Sequence, residues 1–285
     1  MRTVKLPDTT LALDELDVAL KYANGTYKYE LESEELDIIK KIYEKYDASQ
    51  AKADDDFKSI LLQKATNDAL QEAYNEIQIK GRLSTLRNTL LLAIDKCPYC
   101  GIVVPDELDH YLPQSIYQAI SVYSRNLIPI CHKCNNAKRI AINGVTKTYY
   151  NAYYQIFPKK TFFIADINFI APSLIIDFRI DSTDLDEDLR DKLDFQFSRT
   201  KLNEKLIKEA HTFINDNKAA IEMVFEGDND NGVKNLFLKQ HKDFLNSYGI
   251  NYWKTSLVYS LSNCEPFCKG GFKSYFQRPL LHHNH

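Results

Sequence analysis

The chain is sparing with the residues that break regular structure. Its 285 residues include only 9 Gly and 9 Pro, which excludes a collagen-like, Pro-rich or linker-like polymer. With 18 Tyr and 15 Phe present, disorder is excluded on the same ground. No apolar run approaches the roughly 20 residues that a membrane-spanning helix needs. The opening segment MRTVKLPDTTLALDELD turns acidic at once. It has neither the apolar stretch of a secretory signal nor an Arg-rich presequence, so a cytoplasmic address and no membrane partner are expected. No internal repeat recurs. No G-x-x-x-x-G-K-[ST] string is present, so any nucleotide dependence must come from another chain. A large charge excess is also missing, since 36 Lys and Arg stand against 39 Asp and Glu, a net −3.

What is present is an ordinary globular composition, 44% hydrophobic and 26% charged, enough for one large or two modest cores. Charge is distributed unevenly. Residues 81–160 carry ten Lys and Arg against four acids, a local +6, which leaves −9 for the remainder. A basic middle in an acidic chain suits a phosphate-facing site that avoids indiscriminate binding; chance fluctuation is the alternative.

The expected fold class is α+β, in three regions. Residues 1–95 read as helical. Ser33 is placed to cap a helix with Glu34 and Glu35 in its first turn, and Leu36, Ile39, Tyr43 and Tyr46 recur at helical spacing. A second pattern runs from about Asp56 to Lys80 through Ile60, Leu70, Tyr74 and Ile77, and Gly81 ends it. Leu83, Leu86, Leu90 and Ile94 make a third face. Residues 96–145 are turn-rich with short strands. Residues 146–285 form a mixed α/β C-terminal region. There the patterns predict strands at Thr161–Ala165 and Leu174–Ile180 and an acidic turn with a short helix at Asp181–Asp191. Helices are predicted near 201–225, 232–247 and 250–262, around an EGDNDNG loop at 226–232.

Two C-x-x-C pairs, Cys97-Pro-Tyr-Cys100 and Cys131-His-Lys-Cys134, stand thirty residues apart. Two such turns can place four sulfurs around one structural Zn²⁺, and Gly101 supplies the turn a knuckle needs. Soft thiolates in a closed site favour zinc. Disulfides and a redox pair are the alternatives. A reduced compartment disfavours the first, and the absence of a βαβ pattern disfavours the second. His132, inside the second pair, reads as a solvent or phosphate contact.

Between and after the pairs stand Glu107-Leu-Asp109-His110-Tyr-Leu-Pro113, Asn126-Leu-Ile-Pro-Ile130 and Cys131-His-Lys-Cys134-Asn135-Asn-Ala-Lys138-Arg139. This series resembles the HNH (ββα-metal) endonuclease family, in its four-cysteine zinc-knuckle branch: a D-H-x-x-P element, a middle N-L, then C-x-x-C-N-x-x-K. The resemblance spans about residues 97–139. It implies a treble-clef-like ββα core in which zinc pins a hairpin to the start of a helix. It further implies that Asp109 and Asn135 bind a catalytic Mg²⁺ or Mn²⁺, His110 is the general base and Asn126 braces the loop. Lys138 and Arg139 would hold substrate phosphates. Asn135 stands where the motif's name has its last His, which favours a hard cation. The string His283-Asn284-His285 is a coincidence of letters.

The function so implied is hydrolysis of phosphodiester bonds, with DNA the expected partner. Some stand-alone bacterial proteins of this plan serve in anti-phage defence beside an ATPase, as in Septu-like pairs. Two alternatives stay open: a non-catalytic zinc module that binds nucleic acid, and a subunit activated only by a partner. An isolated Asp-His pair on a zinc hairpin would read as structural.

Cys264 and Cys268 lie near His282, His283 and His285, which allows a second zinc site or, alternatively, buried thiols beside Phe267 and Phe272. Tyr111, Tyr117, Tyr123 and Trp253 read as packing residues, and Asp184–Asp191 as a solvated helix start.

Overall fold

The computed structural model describes residues 1–58, 62–139 and 148–277. It is a mixed α and β structure, mostly helical, with two small sheets. The N-terminal region supplies α1 (Ala12–Ala19), α2 (Ser33–Ala48), α3 (Lys64–Ala73) and α4 (Ser84–Leu92). Helix α2 starts one residue earlier in role than Ser33 suggests. Glu32 is its cap and shares a capping box with Glu35, each side chain taking the other's backbone N–H. Its inward stripe is the expected one, with Ile39, Tyr43 and Tyr46 buried. The pattern expected from Asp56 to Lys80 is broken into a 3₁₀ turn at Asp55–Lys58, then α3, then a second 3₁₀ turn at Tyr74–Ile77. Gly81 closes this region because a Cβ there would run into the Glu76 carbonyl. Ile60 lies outside the described residues.

The middle region contains strand β1 (Glu107–His110), strand β2 (Leu127–Ile130) and helix α5 (His132–Arg139). The strands pair antiparallel, Glu107 opposite Ile130 and His110 opposite Leu127, and α5 packs across β1. Every residue of β2 is buried. Arg87 of α4, itself buried, donates to the Asp106 carbonyl at 2.8 Å and so fixes the entry to β1.

Beyond it, β3 (Phe163–Ile170) and β4 (Ser173–Ile180) form a second antiparallel pair. Leu174, Ile176 and Phe178 point inward, as their alternation predicts, and β3 runs five residues past the expected Ala165. Helices α6 (Glu187–Arg199), α7 (Leu202–Asp216), α8 (Lys218–Tyr248), α9 (Trp253–Asn263) and α10 (Phe272–Gln277) follow. The helix expected over 201–225 is split at Asn217. The loop expected at 226–232 is a kink inside α8, at Asp228 and Asn229. Gly232 permits that, since a Cβ there would strike the Val224 carbonyl. No helix among the described residues is long and apolar enough to cross a membrane.

The three regions share one hydrophobic core. The turn around the first cysteine pair is held by distant chain. Trp253 Nε1 donates to the Gly101 carbonyl at 3.0 Å, Gln196 Nε2 to Tyr99 at 3.1 Å, and the Tyr150 hydroxyl to Pro98 at 2.6 Å.

Candidate functional site

Both cysteine pairs sit on tight turns made by their own backbone. Cys97 N–H donates to the Val103 carbonyl at 2.7 Å, and Gly101 N–H closes on Cys97 O at 2.8 Å. Gly101 has φ +67°, which suits a residue without Cβ. At the second pair, Cys134 and Asn135 N–H both donate to Cys131 O at 3.0 Å, opening α5. The Asp106 carboxylate accepts from the first helical N–H, that of His132, at 2.9 Å.

The four Sγ atoms lie within 4.8 Å of one another, and all four residues are buried. Cys100 and Cys131 are 3.8 Å apart, the edge of a tetrahedron with Zn–S bonds of about 2.3 Å. All six cysteines are free thiols, so the disulfide alternative does not hold. Burial drives the Cys97 thiol well up, while hydrogen bonds from the neighbouring sulfurs, Cys131 first, hold Cys100 far down. Four crowded sulfurs cannot all ionise alone; a dication would let them, and this donor set can hold a zinc ion. Among the described residues this is the only group of three or more His, Cys, Asp or Glu side chains placed for a metal.

Strand alternation sorts the residues of β1. Glu107 and Asp109 are two apart and face α5, while His110 faces the other way. Glu107 Oε2 accepts from Asn135 Nδ2 at 2.6 Å, and its Oε1 meets His132 Nδ1 at 2.6 Å. The exposed His132 is further held by Asn136 Nδ2, which lies 2.7 Å from Nε2. An amide N–H donates, so His132 Nε2 accepts and its Nδ1–H points to Glu107. Sequence reasoning singled out neither Glu107 nor Asn136; the period-two spacing of Glu107 and Asp109 was the available signal. Asn135 is buried, and its amino group is taken by Glu107, which leaves Oδ1 as its one other polar side-chain atom.

Lys138 is one turn beyond Asn135 and also buried. Its ammonium pairs with Asp109 Oδ2 and donates to the His110 carbonyl at 2.8 Å. The structure thus brings Asp109, Asn135, Lys138 and Glu107 onto one face, with Lys138 turned inward onto Asp109. Arg139 ends α5, and its side chain lies outside the described residues.

The half-buried His110 ring packs edge-on against Tyr74, ring centroids 4.4 Å apart, and its Nε2 is 2.8 Å from the Ser121 carbonyl. A carbonyl only accepts, so Nε2 carries the proton and Nδ1 is the basic nitrogen. Burial pushes the His110 pKa down to about 4, so the ring is neutral at pH 7. Asn126 is fully buried. Its Nδ2 donates to Leu112 O at 3.1 Å and Ile120 O at 3.2 Å, and its Oδ1 accepts from Leu112 N–H at 2.9 Å and the Tyr46 hydroxyl at 3.1 Å. It stitches the irregular 111–126 segment, which carries Ser121, to α2.

Tyr111, Tyr117, Tyr123 and Trp253 are buried. Cys264 and Cys268 are buried too, and burial pushes the Cys268 thiol up to about 12. His282, His283 and His285 lie outside the described residues.

No family model matches the chain. A stretch of 70 residues is 34% identical to protein ea31 of Escherichia phage lambda. The match covers 24% of this chain and 23% of that protein, so the chain spans less than a quarter of the relative it matches. No solved structure matches.

Proposed function

We propose that the chain is a metal-dependent endonuclease of the HNH type that hydrolyses phosphodiester bonds of DNA. The observation that carries the reading is the state of His110: a neutral ring whose Nε2–H is committed to Ser121 and whose Nδ1 is left as a base. Such a ring can take a proton from a water attacking phosphorus, provided that the scissile phosphate sits at the edge of β1, where the His110 face meets the one that carries Asp109 and Asn135. Asp109 Oδ1 and Asn135 Oδ1, two hard oxygens on one face, fit a Mg²⁺ or Mn²⁺ that keeps its waters and takes phosphate oxygens. When bound, that ion neutralises phosphate charge and stabilises the leaving oxygen. Lys138 holds Asp109 in place, and Glu107 holds the Asn135 amide by its amino group. The zinc knuckle gives this small motif the stiffness that its own core is too small to supply. A defence role beside an ATPase rests on the resemblance alone.

The test is nicking of supercoiled plasmid by the purified chain. Cleavage should appear with added Mg²⁺ or Mn²⁺ and stop when both are omitted, with zinc retained throughout. A zinc-replete chain that leaves plasmid intact under every divalent ion would end the reading in favour of a binding module.

A further inference from the structure

The ammonium of Lys138 has no hydrogen left for a substrate. An ammonium carries three donors, and three oxygens take them: Asp109 Oδ2, the His110 carbonyl at 2.8 Å and the Tyr111 carbonyl at 3.5 Å. The centroid of the Tyr111 ring lies 5.7 Å from it. The Lys138 side chain is 6% exposed and that of Asp109 15%, which makes theirs the most buried ion pair among the described residues. Exposed pairs form and break at little cost, whereas breaking one this deep strands a charge. Lys138 is therefore a fixed positive charge and not a mobile arm that reaches for phosphate.

That position bears on the ion for which Asp109 and Asn135 are the proposed ligands. With Oδ2 committed to Lys138, Asp109 has one oxygen to offer, so a grip by both carboxylate oxygens is closed. Asn135 is neutral, and the ammonium offsets the Asp109 charge. The other carboxylate on this face, Glu107, is turned to Asn135 Nδ2 and His132 Nδ1. Mg²⁺ dehydrates reluctantly and is usually held by one or two carboxylates together with substrate phosphates. One carboxylate oxygen and one amide oxygen beside a fixed ammonium hold such an ion weakly until a phosphate supplies negative charge.

We propose that Lys138 is a built-in counter-charge that keeps the divalent-ion site weak in the chain by itself, so that the ion is held firmly only together with a phosphodiester. Lys138 is then a tuning residue that acts through Asp109, in place of the phosphate contact that the sequence resemblance implies. This rests on the nuclease reading above and adds how its ion is acquired.

The experiment titrates the full zinc-loaded chain with Mn²⁺ in the absence of nucleic acid, and electron paramagnetic resonance counts the free ion. Lys138→Gln keeps an N–H donor and removes the charge. It should bind Mn²⁺ at least about tenfold more tightly than wild type, the low end for losing one unit charge beside a dication. Lys138→Arg keeps the charge and should bind no more tightly than wild type. Adding Asp109→Asn to Lys138→Gln should erase the gain, which locates the ion at Asp109. Equal or weaker binding by Lys138→Gln, an equal gain in Lys138→Arg, or a gain that survives Asp109→Asn overturns the proposal. A Lys138→Gln chain that does not fold without the ion should recover a cooperative thermal melt once Mn²⁺ replaces the lost charge; one that stays unfolded in Mn²⁺ overturns it as well. Plasmid nicking tests the nuclease separately: a wild type that nicks without this shift in affinity loses only the role of Lys138, and a chain that shows the shift without nicking loses only the nuclease.

Discussion

His110 donates its Nε2–H to the Ser121 carbonyl across 2.8 Å, and this single contact fixes which ring nitrogen is basic. Ser121 is itself anchored, since its hydroxyl donates to the Leu70 carbonyl of α3. The N-terminal helices therefore reach the proposed base through two bonds and the Tyr74 ring. They do more than decorate a zinc motif.

Tyr74 gives the first test of that linkage. Its hydroxyl donates to the Leu108 carbonyl at 3.1 Å while its ring flanks His110. Tyr74→Leu should lower kcat by about tenfold to a hundredfold, the usual effect of a loosened catalytic group, with KM changed less. Steady-state kinetics on a small phosphodiester would show this. An unchanged kcat would mean the ring needs no such support.

Asn126 is the brace of the 111–126 segment, with four hydrogen bonds and no exposed surface. Asn126→Ala leaves several buried backbone groups unmatched, so a loss of about 3 kcal/mol in unfolding free energy is expected. Denaturant unfolding measures it. A loss below roughly 0.5 kcal/mol, typical of surface positions, would contradict the bracing role.

Removing one sulfur tests the knuckle. Cys131→Ser should abolish stoichiometric zinc and lower the melting temperature by about 10 °C or more, since metal binding and folding are coupled. Metal analysis with calorimetry decides it. Full zinc content and an unchanged melting temperature would show that the four sulfurs do not share an ion.

Away from the site, burial, with Asp14 and Asp8 nearby, pushes Glu15 up to about 7 from its ordinary 4.5. A folded-state pKa above the unfolded one gives stability that is full below pH 4.5 and lost as pH rises through 7. Wild type should lose stability across that window, and Glu15→Gln should flatten the change. Parallel slopes in thermal melts at pH 5 and 8 would remove Glu15 from the account.

Much of this arrangement could be read in the sequence because it depends on local spacing. The two C-x-x-C pairs predict sulfurs that meet, and two strands followed by a helix over 107–139 are what the resemblance carried by Asp109-His110, Asn126 and Cys134-Asn135 implies. What stayed hidden depends on contacts between distant residues. Nothing near His110 in sequence announces Ser121 as its acceptor, because the irregular 111–126 segment brings that carbonyl back. The resemblance implies Lys138 on a substrate phosphate, yet its inward turn onto Asp109 depends on how α5 crosses β1. The EGDNDNG break was legible because Gly and Asp are local signals: the backbone is non-helical at Asp228 and Asn229, with helix on either side.

The central claim is that His110 is the base of a hydrolytic site separate from the zinc. The most direct measurement is plasmid nicking by His110→Ala beside wild type, with zinc determined in both. The account predicts Mg²⁺- or Mn²⁺-dependent cleavage by wild type, a loss of at least about a hundredfold in the variant, and identical zinc content. Undiminished cleavage by the variant would contradict it.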